Sequence, residues 1–228
     1  MQITMVGENN AKIVVDDEVN DFFHHGDNLY VKTMDSSLVT FKEGKTEPQV
    51  ILEEYTGNDP VIFGNFLYAK RSDKDFIRVD LAADAPKEEV IIENVYGKTD
   101  GQHIYYVDLK NYQFYRCDMD GMNAELLVEQ PVFFVSFNFD DAYVYYRLYT
   151  DLQDTGHPDS RDIYRFPKEN PTQVEKIATL PLSVGRIFTV PGTDKIFVCT
   201  YTENVIERPY YVMGTDGNNP TKLEIPEY

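Results

Sequence analysis

With 228 residues, the chain is long enough to form one sizeable all-β domain. It carries 39 acidic residues against 21 lysines and arginines, a formal net charge of −18, which argues against binding to nucleic acids or anionic membrane surfaces. Its two cysteines, Cys117 and Cys199, fall in different repeats, so we predict free core thiols and no disulfide scaffold.

Residues 1–17 predict a β-hairpin that forms half a repeat. Gln2–Met5 and Lys12–Val15 are its strands, and Gly7–Asn10 is its turn. The first residues lack the basic region and long apolar run of a signal peptide, and no apolar run reaches the ~18 residues of a membrane span. The chain as given therefore reads as soluble with no membrane insertion, and its compartment is left unknown.

After the hairpin, one unit of short strands recurs five times. An aromatic and β-branched run begins at residues 29, 67, 104, 144 and 196, and two further runs follow it each time. A weaker fourth segment precedes it. In the fourth repeat that segment is the alternating stretch Phe133–Phe139, predicted as a strand. The predicted boundaries of the five repeats are 18–54, 58–93, 96–129, 133–180 and 186–225.

Four short strands every ~40 residues predict an all-β fold, a β-propeller of four-stranded antiparallel blades. Five full repeats and a half repeat leave two alternatives for its closure. Either the N-terminal hairpin completes the ring, or, as we favour, the chain is a piece of a larger propeller or a naturally short chain with an irregular first blade. A ring of five or six blades is compatible with either alternative. Because exposed sheet edges favour aggregation, we expect the hairpin to pack against a blade. A second copy of the chain could supply the same cover, so a dimer remains an alternative.

The repeat that best defines a family is Ile104–Val128, with an Ile-Tyr-Tyr strand, a Tyr-Arg strand, an Asp-Gly-x-Asn turn and a Leu-containing strand. Thr215–Asn219 repeats the turn, and so does Gly7–Ile13. This pattern resembles the bacterial β-propeller domains of unknown function, which are similar to the YWTD propellers of the low-density lipoprotein receptor. The chain has no YWTD motif and no tryptophan. The resemblance implies a binding scaffold with no named ligand or catalytic residue, and would allow a secreted or cell-surface location.

Two repeats are longer than the rest, and both expansions fall between the second and third strands of a blade. They are 150–162 and 201–209. In a propeller these loops share a face with the connections between blades, so we expect them on one rim, where function concentrates. The candidate binding residues of this rim are Asp151, Asp154, His157, Asp159, Arg161, Tyr201, Glu203 and Arg208.

The sequence holds no readable catalytic motif. It lacks a nucleophile elbow, a zinc-peptidase motif, a Cys-x-x-Cys pair and a phosphate-binding glycine loop, and the acids of 150–162 do not match a calcium loop. We therefore predict a non-enzymatic binding module that recognises a protein, a peptide or a glycan, with no metal or cofactor. The alternative is a propeller-type glycosidase or lyase with acidic residues at the central funnel.

Overall fold

In the computed structural model, the residues described are 3–7, 10–15, 19–26, 28–42, 48–53, 55, 60–71, 75–83, 85–149, 160–190, 192–201 and 208–224. Two compact units, Met1–Val95 and Tyr96–Tyr228, are described one at a time. The described residues form β-strands and turns and contain no helix.

The first unit contains one two-stranded and two four-stranded antiparallel sheets, each with its strands in sequence order. The hairpin is β1 (Ile3–Gly7) and β2 (Asn10–Val15), so the predicted half repeat forms. The next sheet contains β3 (Val19–His25), β4 (Asn28–Thr33), β5 (Leu38–Lys42) and β6 (Gln49–Leu52), and the third contains β7 (Val61–Phe63), β8 (Phe66–Lys70), β9 (Phe76–Asp80) and β10 (Lys87–Ile92).

The second unit contains three more four-stranded antiparallel sheets of the same order. They are β11 (Val95–Thr99), β12 (His103–Asp108), β13 (Phe114–Asp118) and β14 (Glu125–Val128), then β15 (Asn138–Phe139), β16 (Tyr143–Tyr146), β17 (Asp162–Pro167) and β18 (Glu175–Thr179), then β19 (Ser183–Thr189), β20 (Lys195–Tyr201), β21 (Tyr210–Gly214) and β22 (Thr221–Leu223). Five such sheets are the blades of a β-propeller, which confirms the predicted fold class.

Strand β12 shows why these sequences form blades rather than the half-solvated strands of an open sheet. Its four central residues are all buried, so both faces of the strand are covered. On one face, Tyr105 and Val107 pack with Val144 and Phe166 of the following blade. A blade therefore needs apolar residues at consecutive positions, and the Ile-Tyr-Tyr-Val run provides them.

The predicted strand over Phe133–Phe139 is wrong for most of its length. Only Asn138 and Phe139 pair with the next strand, and a turn closes earlier, where the Ser136 amide donates to the Phe133 carbonyl at 2.8 Å. The Ser136 hydroxyl donates to the carbonyl of Gly185, in the next blade. Tertiary contacts of this kind override the strand preference of the local alternation.

The Asp-Gly-x-Asn turns form as predicted between the third and fourth strands of their blades. Gly121 and Asn123 have φ of 82° and 56°, and Gly217 and Asn219 have φ of 80° and 55°. These are left-handed conformations, which glycine and asparagine adopt at lower cost than other residues. Asn123 Nδ2 also donates to the Asp118 carboxylate at 2.6 Å, which ties the first turn together.

Strand register places a tyrosine, an arginine and a glutamate side by side on three adjacent strands. This triplet occurs in three blades, as Tyr68–Arg78–Glu89, Tyr105–Arg116–Glu125 and Tyr145–Arg165–Glu175. Each arginine forms an ion pair with its glutamate, at 2.5, 2.6 and 2.5 Å. Since the glutamates are half-exposed, these pairs alone add little stability.

The arginines of the second unit have a further role between blades. Arg116 Nη1 donates to the carbonyl of Lys168 at 2.8 Å, and Arg165 Nη1 donates to the carbonyl of Thr215 at 2.6 Å. Both acceptors lie in the turn between the third and fourth strands of the following blade. Each arginine thus links its own outer strand pair to the backbone of the next blade through charge-assisted hydrogen bonds.

An ion pair also joins the blade of β11–β14 to the blade of β15–β18. Here the cation belongs to the following blade and the acid to the preceding one. Lys168 Nζ lies 2.8 Å from the Asp100 carboxylate, and both side chains are largely buried. Burial raises the pKa of Asp100, but the hydrogen bonds from Lys168 and from the amides of His103 and Gln102 lower it, and the net pKa is below its usual value.

We expect Asp100→Asn to cost about 1 kcal/mol of unfolding free energy at neutral pH. Because the folded pKa of Asp100 is depressed, its contribution is complete above the unfolded pKa of about 4 and is lost as the pH falls through the folded pKa. Urea unfolding of both proteins between about pH 7 and pH 3 should show this difference shrinking with acidity. Asp194→Asn is the control, since its carboxylate is 83% exposed and lies 3.7 Å from Lys195. A pH-independent difference for Asp100→Asn would contradict the assignment.

Both cysteines are buried free thiols, as predicted. Burial raises the pKa of Cys117 to about 12, helped by the negative charges of Asp118 and Asp120. Its thiol therefore stays protonated and unreactive at neutral pH. No helical segment long and apolar enough to cross a membrane is found among the described residues.

Candidate functional site

In the second unit, the ends of the blades where the second strand runs into the third form one face, here called the loop face. Its described parts include the β12–β13 turn around Tyr112, the β14–β15 connection around Pro131 and Phe133, and Tyr149 after β16. Backbone hydrogen bonds join these segments: the Val132 amide donates to the Tyr112 carbonyl, and the Tyr149 amide to the Pro131 carbonyl, both at 2.8 Å. The blade scaffold thus brings three separate connections together.

Four half-buried aromatic rings of the loop face form an aromatic cluster: Tyr112, Phe133, Phe134 and Tyr149. The Tyr112 and Phe133 rings both contact the Tyr149 ring, with centroids at 5.2 and 5.0 Å and interplanar angles of 70° and 85°. The Phe134 ring continues the row at 5.5 Å from Phe133. Edge-to-face contacts of this kind hold aromatic rings in defined positions.

Tyr112 holds a backbone conformation that tyrosine rarely adopts. Its φ is 60°, in the left-handed region. For a bulky residue this costs on the order of 1 to 2 kcal/mol, which the surrounding structure must offset. Two backbone hydrogen bonds offset this strain: the Tyr112 amide donates to the Asp108 carbonyl at 2.8 Å, and the Tyr112 carbonyl accepts from the Val132 amide. A strained residue held in this way is a candidate for function rather than folding.

Arg147 lies beneath the aromatic cluster with only 2% of its surface exposed. Its guanidinium carbon lies 3.8 Å from the centre of the Phe133 ring, and its Nε donates to the buried Ser136 hydroxyl at 3.3 Å. Burial lowers the pKa of Arg147 to about 10, and the phenols of Tyr149 and Tyr201 oppose this shift. The guanidinium remains charged at neutral pH, so it holds Phe133 by a desolvated cation–π contact.

Strand β19 joins the ends of the two long loops. The Val184 amide donates to the Ser160 carbonyl at 2.8 Å, at the end of the first loop. The next residue, Gly185, packs against the ring of Tyr201, where the second loop begins; a Cβ at Gly185 would lie 2.7 Å from Cζ of that ring. A side chain at this position would therefore force the Tyr201 ring to shift. The guanidinium of Arg208, where the second loop ends, lies 5.7 Å from the Tyr201 ring.

Three of the eight candidate residues predicted for this rim are described. Arg161 and Arg208 are exposed, and Tyr201 is half-buried. Arg161 also accepts a hydrogen bond at its carbonyl from the Leu180 amide, at 2.9 Å. The others lie outside the described residues; they are Asp151, Asp154, His157, Asp159 and Glu203.

Sequence reasoning missed the aromatic cluster and the buried arginine. Arg147 carried no distinctive signal, because Lys32 and Lys70 follow the corresponding runs of two other repeats. Tyr112 carried none, since its neighbour Asn111 is the residue expected in the left-handed position. Phe133 and Phe134 were assigned to a strand that does not form there.

The first unit contains a recess that is a weaker candidate for a binding site. A recess of about 10 Å³ in the first unit, the space of one water molecule, is lined by Asp21, Phe23, Lys32, Leu38, Tyr55 and Pro60. It is too small for an organic ligand. Among the described residues, no group of three or more His, Cys, Asp or Glu side chains is placed to hold a metal ion.

Comparison with known proteins identifies the fold but no family. No protein-family model and no curated protein sequence matches this chain. Among solved structures, a protein assigned as TolB from Agrobacterium tumefaciens is similar, with a TM-score of 0.62 and 16% identity over 93% of this chain and 83% of that chain.

Two further structures have TM-scores of 0.57. A chain of the nidogen/laminin complex is 12% identical over 95% of this chain and 86% of its own length. Oligogalacturonate lyase from Vibrio parahaemolyticus is 15% identical over 93% of this chain and 68% of its own length. At these identities the similarity establishes a propeller scaffold and no more.

Proposed function

We propose that this chain is a non-enzymatic binding module whose recognition surface is the loop face, and that its ligand is a protein, a peptide or a glycan. The observation that carries the proposal is the aromatic cluster. Tyrosine, phenylalanine and arginine are the residue types enriched where binding energy concentrates. Here they converge from three connections onto one end of the blades.

Contacts within the protein position the rings of the cluster before any ligand arrives, which reduces the entropy cost of binding. The edge-to-face contacts position the Tyr149 ring, backbone hydrogen bonds hold Tyr112, and the Arg147 guanidinium holds Phe133 from below. A merely structural role would not require a tyrosine at φ 60°, because asparagine or glycine there would fold at lower cost.

The described ends of the two long loops contribute further candidate residues. Arg161, Tyr201 and Arg208 are the described candidates, and the undescribed candidate residues belong to the same two loops. Propeller chains of similar fold do occur in protein assemblies, as the nidogen/laminin complex illustrates. That precedent supports a binding role by analogy of fold, and the aromatic cluster supplies the site-level argument.

The test is selection against two probes, a random peptide display library and a glycan array, with the wild type and a Tyr112→Ala/Tyr149→Ala double variant. We expect the wild type to enrich ligands, and the double variant to bind them at least about tenfold more weakly, as expected for loss of an aromatic hot spot. Met122→Ala is the matched control: this side chain is 63% exposed in a turn at the opposite end of the blades.

Because the two substitutions could disturb folding, a Tyr112→Phe/Tyr149→Phe variant keeps both rings, and thermal unfolding of every variant is recorded. Ligands that bind the folded double alanine variant as tightly as the wild type would refute the aromatic cluster as the recognition surface. A wild type that enriches no ligand above a blank protein would refute recognition of a peptide or a glycan by this module.

A further inference from the structure

Strand register divides the last blade, β19–β22, into two faces. Ile187, Val198 and Tyr211 pair across three strands and belong to the core that also contains Tyr145 and Ile163 of the preceding blade. Because side chains alternate along a strand, the neighbouring rows lie on the opposite side, here called the terminal face. One of its rows is Phe188, Phe197, Val212 and Thr221, and the other is Arg186, Cys199, Tyr210 and Leu223.

The terminal face is less covered than the same face of the two earlier blades in this unit. The residues that correspond to Phe197 in those blades are Tyr105 and Tyr145, which are 1% and 0% exposed. Phe197 is half-buried, and Phe188 beside it is 40% exposed. Val190, directly after β19, is 36% exposed. Since apolar residues at these positions are otherwise covered by a neighbouring blade, the terminal face can accept a further apolar partner.

The terminal face also lacks the arginine that links earlier blades. Arg116 and Arg165, which each bind a backbone carbonyl of the following blade, occupy the register position that Val212 has here. Thr221 replaces the glutamate that pairs with each of those arginines. The face is therefore suited to apolar contact and not to the polar link between successive blades.

Charge favours self-association at the terminal face over other surfaces of the molecule. The chain carries 39 acidic residues and a net charge of −18, so two copies repel each other over most of their surfaces. The two rows of the terminal face contain no acid, and Arg186 is their single charged residue. No side-chain hydrogen bond or ion pair joins Arg186 to the described residues. Homodimer interfaces have this character, an apolar centre with few charges.

We propose that a second copy of this chain packs on the terminal face, with a two-fold axis that lies between the two sheets and runs along their strands. This axis places β19 of one copy over β22 of the other, so each row meets the same row in reverse order. Phe188 then lies over the partner's Thr221, and Phe197 lies over the partner's Val212. A large side chain meets a smaller one at each position, as in sheets whose side chains interdigitate.

The same axis brings Arg186 close to an acid. Arg186 lies over the partner's Leu223, and the exposed Glu224 directly follows Leu223 in the sequence. Two symmetric pairs at the rim would fix the orientation more than they add affinity. The face of four short strands measures only about 15 by 20 Å, so the dimer is weak, with a Kd on the order of 10 µM. It shares no residue with the aromatic cluster and does not depend on the proposed function.

The test is sedimentation equilibrium of the whole chain between about 1 and about 500 µM. We expect the wild type to pass from monomer to dimer over this range. Phe188→Asp places an unpaired carboxylate in the interface and should weaken association at least about tenfold. Leu126→Asp is the matched control, because Leu126 is 46% exposed on β14, and it should leave the Kd unchanged. Thermal unfolding verifies that each variant is folded.

Charge reversal tests the orientation with exposed residues whose substitution leaves folding intact. Arg186→Glu and Glu224→Arg should each weaken association about threefold or more, and the double variant should restore the wild-type Kd to within about twofold. Losses in both single variants without recovery in the double variant would overturn the proposed two-fold arrangement.

A wild type that remains monomeric at about 500 µM would overturn the proposal as a whole. A dimer that Phe188→Asp leaves intact would also overturn it, because the interface would then lie elsewhere. Neither result affects the loop face, whose ligand binding is measured with variants of Tyr112 and Tyr149.

Discussion

Gly217→Ala is expected to lower the unfolding free energy by about 3 kcal/mol. Gly217 has a φ of 80°, and a Cβ there would collide with the backbone of Ile177 in the preceding blade, at 2.6 Å from its carbonyl carbon. A strand backbone cannot move aside as a flexible side chain can, so the turn must shift. That shift would also displace Thr215, whose carbonyl accepts from Arg165.

The matched control is Gly192→Ala, since Gly192 has a φ of 74° but no atom within 4 Å of the added Cβ. It isolates the cost of a left-handed alanine, about 1 kcal/mol. Urea unfolding of the three proteins gives the two differences directly. Equal losses of unfolding free energy for both variants would mean that the close approach between the blades adds nothing to the cost of Gly217→Ala.

Phe114→Ala is expected to cost about 4 kcal/mol. The Phe114 side chain is fully buried, and its ring lies within 6.5 Å of four other rings, those of Tyr105, Phe137, Tyr146 and Phe166. Removing it leaves a cavity bounded by rigid aromatic rings, which cannot collapse to fill it.

Phe188→Ala is the control for Phe114, because the Phe188 side chain is 40% exposed and should cost less than about 1 kcal/mol. Phe114→Leu refills part of the cavity and should recover part of the loss. The midpoints of chemical unfolding measure the stability of all three variants. A midpoint for Phe114→Ala close to that of Phe188→Ala would show that Phe114 is not the centre of this core.

The blade fold could be predicted from the sequence because the repeat carries the physical requirement of a blade. A run such as Ile104–Val107 must bury both faces, and a turn such as Asp118–Asn123 must supply left-handed residues. Both properties are local and recur, so they can be read without the structure. The structure extends the predicted first run only by one residue at each end, from His103 to Asp108.

Much of the candidate site could not be predicted, because contacts between distant residues determine it. Ser136 turns the chain where alternation predicted a strand, and it does so through Gly185, 49 residues away. The pairing of Val132 with Leu148 then places Phe133 beside Tyr149. Loop lengths identified the end of the blades that carries the expansions, but they could not identify which aromatic side chains meet there.

The contacts of Arg116 and Arg165 with the following blade bear on how such a chain can change during evolution. Both arginines bind a backbone carbonyl, which every amino acid provides, so the contact does not depend on the side chain presented by the next turn. The two recipient turns share no sequence motif: one begins Lys168-Glu169-Asn170 and the other Thr215-Asp216-Gly217. A duplicated or exchanged blade would therefore form this hydrogen bond with its neighbour whenever its turn has the right backbone shape. The surface side chains of that turn remain free to acquire new specificities.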